Sequence, residues 1–364
     1  MRADAFADAR APAGVVTLQG QDRRYPWVDA EAYVWGGARS DVVGDVLVLA
    51  LRLREPHGLG EVRGGRFLFA TGAIRPIQID GVSVLARAPS GLTVEAVGGA
   101  PVVPRFGWRA ADWLVGGRLA QRFASRLTVG ASYVRQNAKE GVANEEFGAD
   151  LASVPIDWLD VAATGSYDIG SKGVAEARTS AAARWTDWRL ELFASHRSPS
   201  RLLPATSLFS VLGDFPSQVV GTAVRWNAAP RLDLWVSAAG QDLGGELGGY
   251  GSLRSTLRLD DRGDGSVGVE IQRHDIATVH WSGVRVVGAE RLSEHFRASS
   301  ELELARTSDD GRGVSVWPWG LVALTWSSGT GWEAAAATEA GSTPKYRFEV
   351  NGLVRVSYAT ARVP

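Results

Sequence analysis

From Trp27 to Tyr358 the chain alternates apolar and polar residues with a period of two, in short runs separated by turn residues. The stretch from Trp113 to Tyr133, WLVGGRLAQRFASRLTVGASY, shows the pattern twice. Its first arm sets Trp113, Val115, Gly117, Leu119 and Phe123 against Leu114, Gly116, Arg118, Ala120 and Arg122. After Ala124-Ser125 the second arm sets Leu127, Val129, Ala131 and Tyr133 against Arg126, Thr128, Gly130 and Ser132. Successive strand side chains point to opposite faces, so this is a hairpin with one oily and one wet side. Trp and Tyr at the edge of the oily side suit a membrane interface, where ring and polar tip are both satisfied.

The same pattern recurs along the chain. Leu47, Leu49, Leu51 and Leu53 oppose Val48, Ala50, Arg52 and Arg54; Phe147, Ala149 and Leu151 oppose Glu146, Gly148 and Asp150. Later runs interleave Arg178, Arg184, Arg225, Arg231, Asp233, Arg254, Arg258, Glu270, Arg297, Glu301 and Glu303 with apolar residues. These charges, with Arg52, Arg118 and Arg122, are the expected lining of a water-filled lumen.

The connections sort into two alternating kinds. Tight ones fall near Ala88 to Gly91, Ala124-Ser125, Val154 to Asp157, Thr186-Asp187, Asn227 to Pro230, Asp261 to Gly265, Glu290 to Ser293 and Ser328 to Gly331, with often longer ones between them. That alternation predicts an all-β fold: one closed antiparallel transmembrane barrel of about 20 strands (18 to 20), with short periplasmic turns and longer outer loops. The barrel is expected over 26–359, after a polar lead-in at 1–25 and before a short tail at 360–364. The long segment 198–217 is too apolar to stand in water; Arg201, Leu208, Phe209, Asp214 and Phe215 are expected to fold into the mouth or pack on the rim as a constriction.

Composition narrows the alternatives. The 364 residues carry 39 basic and 40 acidic side chains, a net charge of -1 that offers no bulk field for nucleic acid. Mean hydropathy is -0.06, and no apolar run is long enough for a spanning helix, whereas a barrel stays average because half of each strand faces water. With no cysteine, disulfides, thiolate metal sites and a Cys nucleophile are absent. The first residues, MRADAFADARAPAG, lack the apolar core of a signal peptide, so either the chain is cytosolic or the sequence is a mature form with a start Met added, and the strand pattern favours the second.

This architecture resembles that of Gram-negative outer-membrane porins over 27–358. Within it, Arg63-Gly64-Gly65-Arg66, then Ile79-Asp80-Gly81-Val82 and Glu95-Ala96-Val97-Gly98-Gly99, resemble a motif series of alginate-export-type porins, which implies a large monomeric channel lined by charge. The last strand departs from the porin habit of ending on an aromatic, since ATARVP follows Tyr358.

The expected function is passive diffusion of small polar or anionic solutes across a bacterial outer membrane, with lipid outside and no cofactor. A different class is a structural sleeve holding a lumen or periplasmic protein partner, such as an electron-carrying or secreted chain. An enzyme is the least favoured option. His280 and Ser282, two apart on one strand face, resemble the catalytic pair of outer-membrane phospholipases and lipid A deacylases, but no adjoining residue supplies an orienting third group. His57, His196, His274 and His295 have no metal-ligand spacing. DDRGDG at 260–265 lacks the closing Glu of a calcium loop and reads as a turn. Gly64-Gly65, Gly116-Gly117 and Gly248-Gly249 precede no helix that could bind phosphate. Trp317-Pro318-Trp319 is expected to be a membrane-interface anchor rather than a sugar platform.

Overall fold

A strand with one apolar face also needs partners for the backbone donors and acceptors along both its edges. The computed structural model describes residues 2–8, 13–25, 27–38, 42–102, 112–139, 141–198, 217–276, 279–309, 313–342 and 348–359. Among these the chain forms β1 (Arg2–Asp8), β2 (Ala13–Tyr25), β3 (Val28–Ala38), β4 (Val42–Arg54), β5 (Gly60–Thr71), β6 (Ile74–Arg87), β7 (Leu92–Pro101) and β8 (Trp113–Phe123). There follow β9 (Leu127–Ala138), β10 (Gly141–Ile156), β11 (Leu159–Asp168), β12 (Gly173–Arg184), β13 (Trp188–Arg197), β14 (Ser217–Ala229) and β15 (Leu232–Leu243). The last are β16 (Glu246–Arg258), β17 (Ser266–Ile276), β18 (Val279–Arg291), β19 (Phe296–Asp309), β20 (Gly313–Ser327), β21 (Trp332–Gly341) and β22 (Glu349–Ala359). Each pairs antiparallel with its sequence neighbours, and β1 also pairs with β22, setting Arg2 beside Ala359 and Asp8 beside Leu353. The 22-stranded sheet therefore closes on itself.

From Trp27 onward the strands are those the alternation predicts, β3 to β22. The two additional strands correct the expected lead-in at 1–25, which is part of the wall. Their sequence carries only one short apolar piece, Val15 to Leu18, so their register comes from neighbours, Leu18 beside Val34 and Ala5 beside Val356. The segments 199–216, with Arg201, Leu208, Phe209, Asp214 and Phe215, and 360–364 lie outside the described residues.

All the tight turns named above lie at one end of the barrel, together with both strand termini Arg2 and Ala359. The connections at the opposite end are longer only in part. Those at 102–112 and 198–216 are long, but Gly72-Ala73 and Gly244-Gly245 join their strands as tightly as any periplasmic-type turn.

The outward face is an apolar belt. Leu49, Leu51, Leu53, Val115, Leu119, Leu192, Val236, Leu302, Val322 and Val354 are all exposed there. At the turn end the belt is bordered by aromatic rings: Trp158 stacks on Trp185, Trp188 on Trp226, and Trp332 tilts against Tyr358. Phe123, Phe296 and Trp326 continue that girdle, while Trp113, Tyr133, Phe147 and Tyr167 form a second one toward the other end. Exposed apolar area on this scale is unstable in water and stable in hydrocarbon.

One hairpin leaves the wall. β4 and β5 pair only from Arg54 beside Glu61 to Leu49 beside Arg66, and β6 and β7 only from Arg87 beside Thr93 to Ile79 beside Pro101. Among the described residues the end beyond those limits, Phe67 to Ile77, pairs only with itself and turns into the barrel, while the Gln78 carbonyl still accepts from Val102 N at 2.8 Å. The bend falls at Gly65, whose φ of 118° and packing against the Leu49 carbonyl leave no room for a Cβ. Phe67 and Ile79 are fully buried beneath the bend, and with Phe69 they pack on Ala50, Val97, Leu114 and Val134 of the inner wall.

Candidate channel lumen

The period of two decides which side chains reach the interior. Because Leu49, Leu51 and Leu53 face out, Ala50, Arg52 and Arg54 face in, and register carries that choice from strand to strand. Arg52 lies beside Asp29 and reaches Glu61 at 3.4 Å; Arg54 reaches Asp29 at 3.7 Å and Glu61 at 3.2 Å. Arg63 meets Glu31 at 2.9 Å. Further round the wall, Arg178 pairs with Glu176, Arg184 with Asp160 at 2.8 Å, and Arg225 with Asp233 through Nε at 2.8 Å.

The most continuous charge ladder crosses β16 to β19. Arg254, Glu270, Arg285 and Glu303 lie side by side in register. Glu270 is buried and accepts from Arg254 Nη2 at 2.8 Å and Gln272 Nε2 at 2.6 Å, while Arg285 Nε lies 2.6 Å from Glu301. Arg285 and Gln272 were not anticipated as lining residues. Their signal was the alternation itself, which places 285 opposite the exposed Val284 and Val286.

Arg122, Arg258 and Arg297 also face inward, near the turn end, and are exposed; among the described residues none forms an ion pair. Arg231 departs from the expected wall position. It sits in the turn before β15 and binds Asp261 at 2.7 Å and the Leu259 carbonyl at 3.3 Å, tying two neighbouring turns together at the rim. A cavity of ≈ 710 Å³ at this mouth is lined by Arg184, Arg189, Arg225, Asp233 and Arg258 among others.

The inturned hairpin rests on the lumen wall. Arg118 of β8 and Asp150 of β10 join across β9, with Nε to Oδ2 at 2.9 Å. The pair lies flat because Gly130 beneath it has no side chain: a Cβ there would come 2.5 Å from Asp150 Oδ2. Gly72 at the hairpin tip covers the pair, a built Cβ meeting Asp150 Oδ2 at 2.5 Å and Arg118 Cδ at 2.6 Å. Ala73 sits over Gly148, and Pro76 faces Thr164, Ser166 and Arg178 across a cleft of ≈ 180 Å³.

The aromatic and histidine candidates take particular places. Trp317 and Trp319 lie beside Ala305 and Glu303, on the inward face, whereas Val316, Val322 and Leu324 face out. They are not the expected membrane anchor; two-residue alternation sends them into the lumen, where Trp317 Nε1 donates to Thr307 Oγ1 at 3.0 Å. Tyr250, His274 and Trp281 also form a stack on the inner wall, with centroids 5.4 and 4.3 Å apart. His280 and Ser282 lie on the opposite, outward face. Asp275 on β17 supplies a carboxylate 3.3 Å from His280 Nδ1, but the His280 and Ser282 side chains share no hydrogen bond. In the 260–265 turn Asp260 accepts from Asp264 N at 3.1 Å and Gly265 N at 2.6 Å, contacts that hold its carboxyl below the usual range. Among the described residues no cluster of three His, Asp or Glu is placed to hold a metal ion.

No protein-family model and no curated protein matches this chain. Solved structures do. An E. coli P pilus tip assembly intermediate, PapC-PapD-PapK-PapG, aligns at TM-score 0.53 and 10% identity over 99% of this chain and 61% of that one. The P pilus usher PapC translocation pore aligns at TM-score 0.48 and 9% identity over 99% of both chains. The outer membrane protein OpdK from Pseudomonas aeruginosa aligns at TM-score 0.42 and 13% identity over 98% of this chain and 96% of that one. These neighbours are outer-membrane β-barrel proteins, and the likeness is one of fold.

Proposed function

We propose that the chain is a channel of the bacterial outer membrane that lets small polar solutes, anions included, diffuse down their gradients. The observation that carries this is the opposition of the two faces: a bordered apolar belt outside and ion pairs inside a closed sheet of 22 strands. Such a sheet encloses a lumen whose wall is roughly 40 Å across. Most inward arginines are balanced by carboxylates, so the middle of the passage has a transverse field and little net charge. Preference for anions comes from the uncommitted Arg122, Arg258 and Arg297 at the turn-end mouth. Liposome swelling tests the channel itself: neutral sugars should enter at rates that fall with size, and vesicles that do not swell would refute it.

The triple variant Arg122→Gln, Arg258→Gln, Arg297→Gln is expected to move the zero-current potential in a salt gradient toward cation preference while leaving conductance nearly unchanged. An unaltered potential would remove these residues from selectivity.

The width of the barrel also suits a sleeve around a protein partner. A stoichiometric lumen protein co-purifying from native membranes, with no conductance once it is bound, would favour that role.

A further inference from the structure

We propose that the Phe67 to Gln78 end of the β5–β6 hairpin is the constriction of this channel: a fixed ribbon on the β7 to β11 wall that sets the size limit for solute. This rests on the channel reading above and adds to it the element that narrows the lumen.

Four observations converge. Among the described residues the ribbon leaves the sheet, with no strand pairing to β4 beyond Arg66 and none to the β7 side beyond the Gln78 carbonyl, which accepts from Val102 N at 2.8 Å. One face is sealed, Phe67, Phe69 and Ile79 being buried against Val97, Leu114 and Val134. Its base is pinned where it leaves the wall: Arg66 Nε and Nη2 donate to Asp80 at 2.7 and 2.8 Å, Arg66 Nη1 lies 3.3 Å from Asp45 and donates to the Val46 carbonyl at 3.1 Å. Gln78 Nε2 reaches the Leu47 carbonyl at 2.5 Å. The wall under the tip is reduced to fit, for a Cβ on Gly148 would stand 2.6 Å from both Ala73 Cβ and Ser132 Oγ.

Desolvated at its inner face, pinned at its base and seated at its tip, the ribbon would have to break all three sets of contacts to swing out. A paired ribbon is about 10 Å thick and, over this length, roughly 20 Å long, so it takes about a third of a lumen some 30 Å wide between side chains. It leaves a passage bounded by the ribbon on one side and by the ladder from Arg254 to Glu303 elsewhere. The Arg118–Asp150 pair lies under the tip and is withdrawn from solute; it is a positioning pair for the ribbon.

Two measurements test this. Replacing residues 69–77 by Asn-Gly, which joins the paired Leu68 and Gln78 through a tight turn, should raise single-channel conductance by roughly a third and admit larger sugars. A folded deletion protein with unchanged conductance and size limit overturns the proposal. Independently of that deletion, Ala73→Cys with Gly148→Cys creates the only two cysteines in the chain. They should cross-link readily in intact outer membranes, since slight relaxation brings their Cβ atoms to the ~3.8 Å of a disulfide, and conductance should be equal before and after reduction. Absence of the cross-link, or a conductance that rises on reduction, also overturns it. Should the unaltered protein fail to conduct, the channel reading falls and the constriction role with it, whereas the cysteine pair still reports where the hairpin sits.

Discussion

Leu302→Arg is expected to lower the stability of the folded barrel in lipid by about 2–4 kcal/mol, the cost of a guanidinium near the middle of the hydrocarbon. Leu302 lies in the central part of β19, 62% exposed, with Val286 and Leu304 on the same outward face. Three residues earlier, Ser299 faces the lumen between Ala289 and Ala323. Ser299→Arg is therefore expected to change stability by less than about 1 kcal/mol, because its charge stays hydrated. Reversible denaturant unfolding in vesicles measures both. Equal losses would mean that the two faces of β19 do not meet different solvents, and the assignment of lipid and lumen would fail.

Phe67→Ala is the second large effect, expected to weaken the packing of the hairpin on the inner wall by about 3–5 kcal/mol. The ring is fully buried against Ile79 and lies under the Arg63 guanidinium, whose Cζ is 4.6 Å from its centroid. Removing it leaves a cavity that the closed wall cannot collapse to fill. The loss is local, so it should be read as protease cleavage at Gly72-Ala73 and as current noise in the open channel, with the barrel still folded on a gel. Leu68→Ala, at an exposed neighbour on the other face, is the control and should behave as the unaltered protein. Cleavage that is no faster in Phe67→Ala than in Leu68→Ala would show that the buried ring does not hold the hairpin.

The alternation made the barrel legible because each strand from β3 onward has one face in lipid, and lipid tolerates few exceptions. It also placed Arg52, Arg118, Arg225, Arg254, Glu270 and Glu301 on the inward side, since parity within a strand settles the face. Three things were not legible. β1 and β2 take their place from the neighbours that close the sheet rather than from their own pattern. Trp317 and Trp319 look like interface anchors by residue type, and only their parity with Leu321 and Ala323 shows otherwise. The hairpin was missed although its residues carry a signal: Phe67, Phe69, Ile77 and Ile79 put an oily stripe on the side that is wet elsewhere. The opposite face mixes Leu68 and Ala70 with Arg66 and Gln78, so the oily stripe alone marks a ribbon with protein on one side. The series Arg63-Gly64-Gly65-Arg66 and Ile79-Asp80-Gly81-Val82, read from sequence only as a family likeness, turns out to hold the bend and its Arg66–Asp80 pin.

The claim on which the rest depends is that a closed sheet, oily outside and charged inside, leaves a continuous water path. Single-channel recording of the purified full chain in a planar bilayer tests it most directly. Discrete, long-lived steps with conductance rising in proportion to salt are expected. Heat-modifiable, folded protein that inserts into the bilayer and passes no current would contradict it.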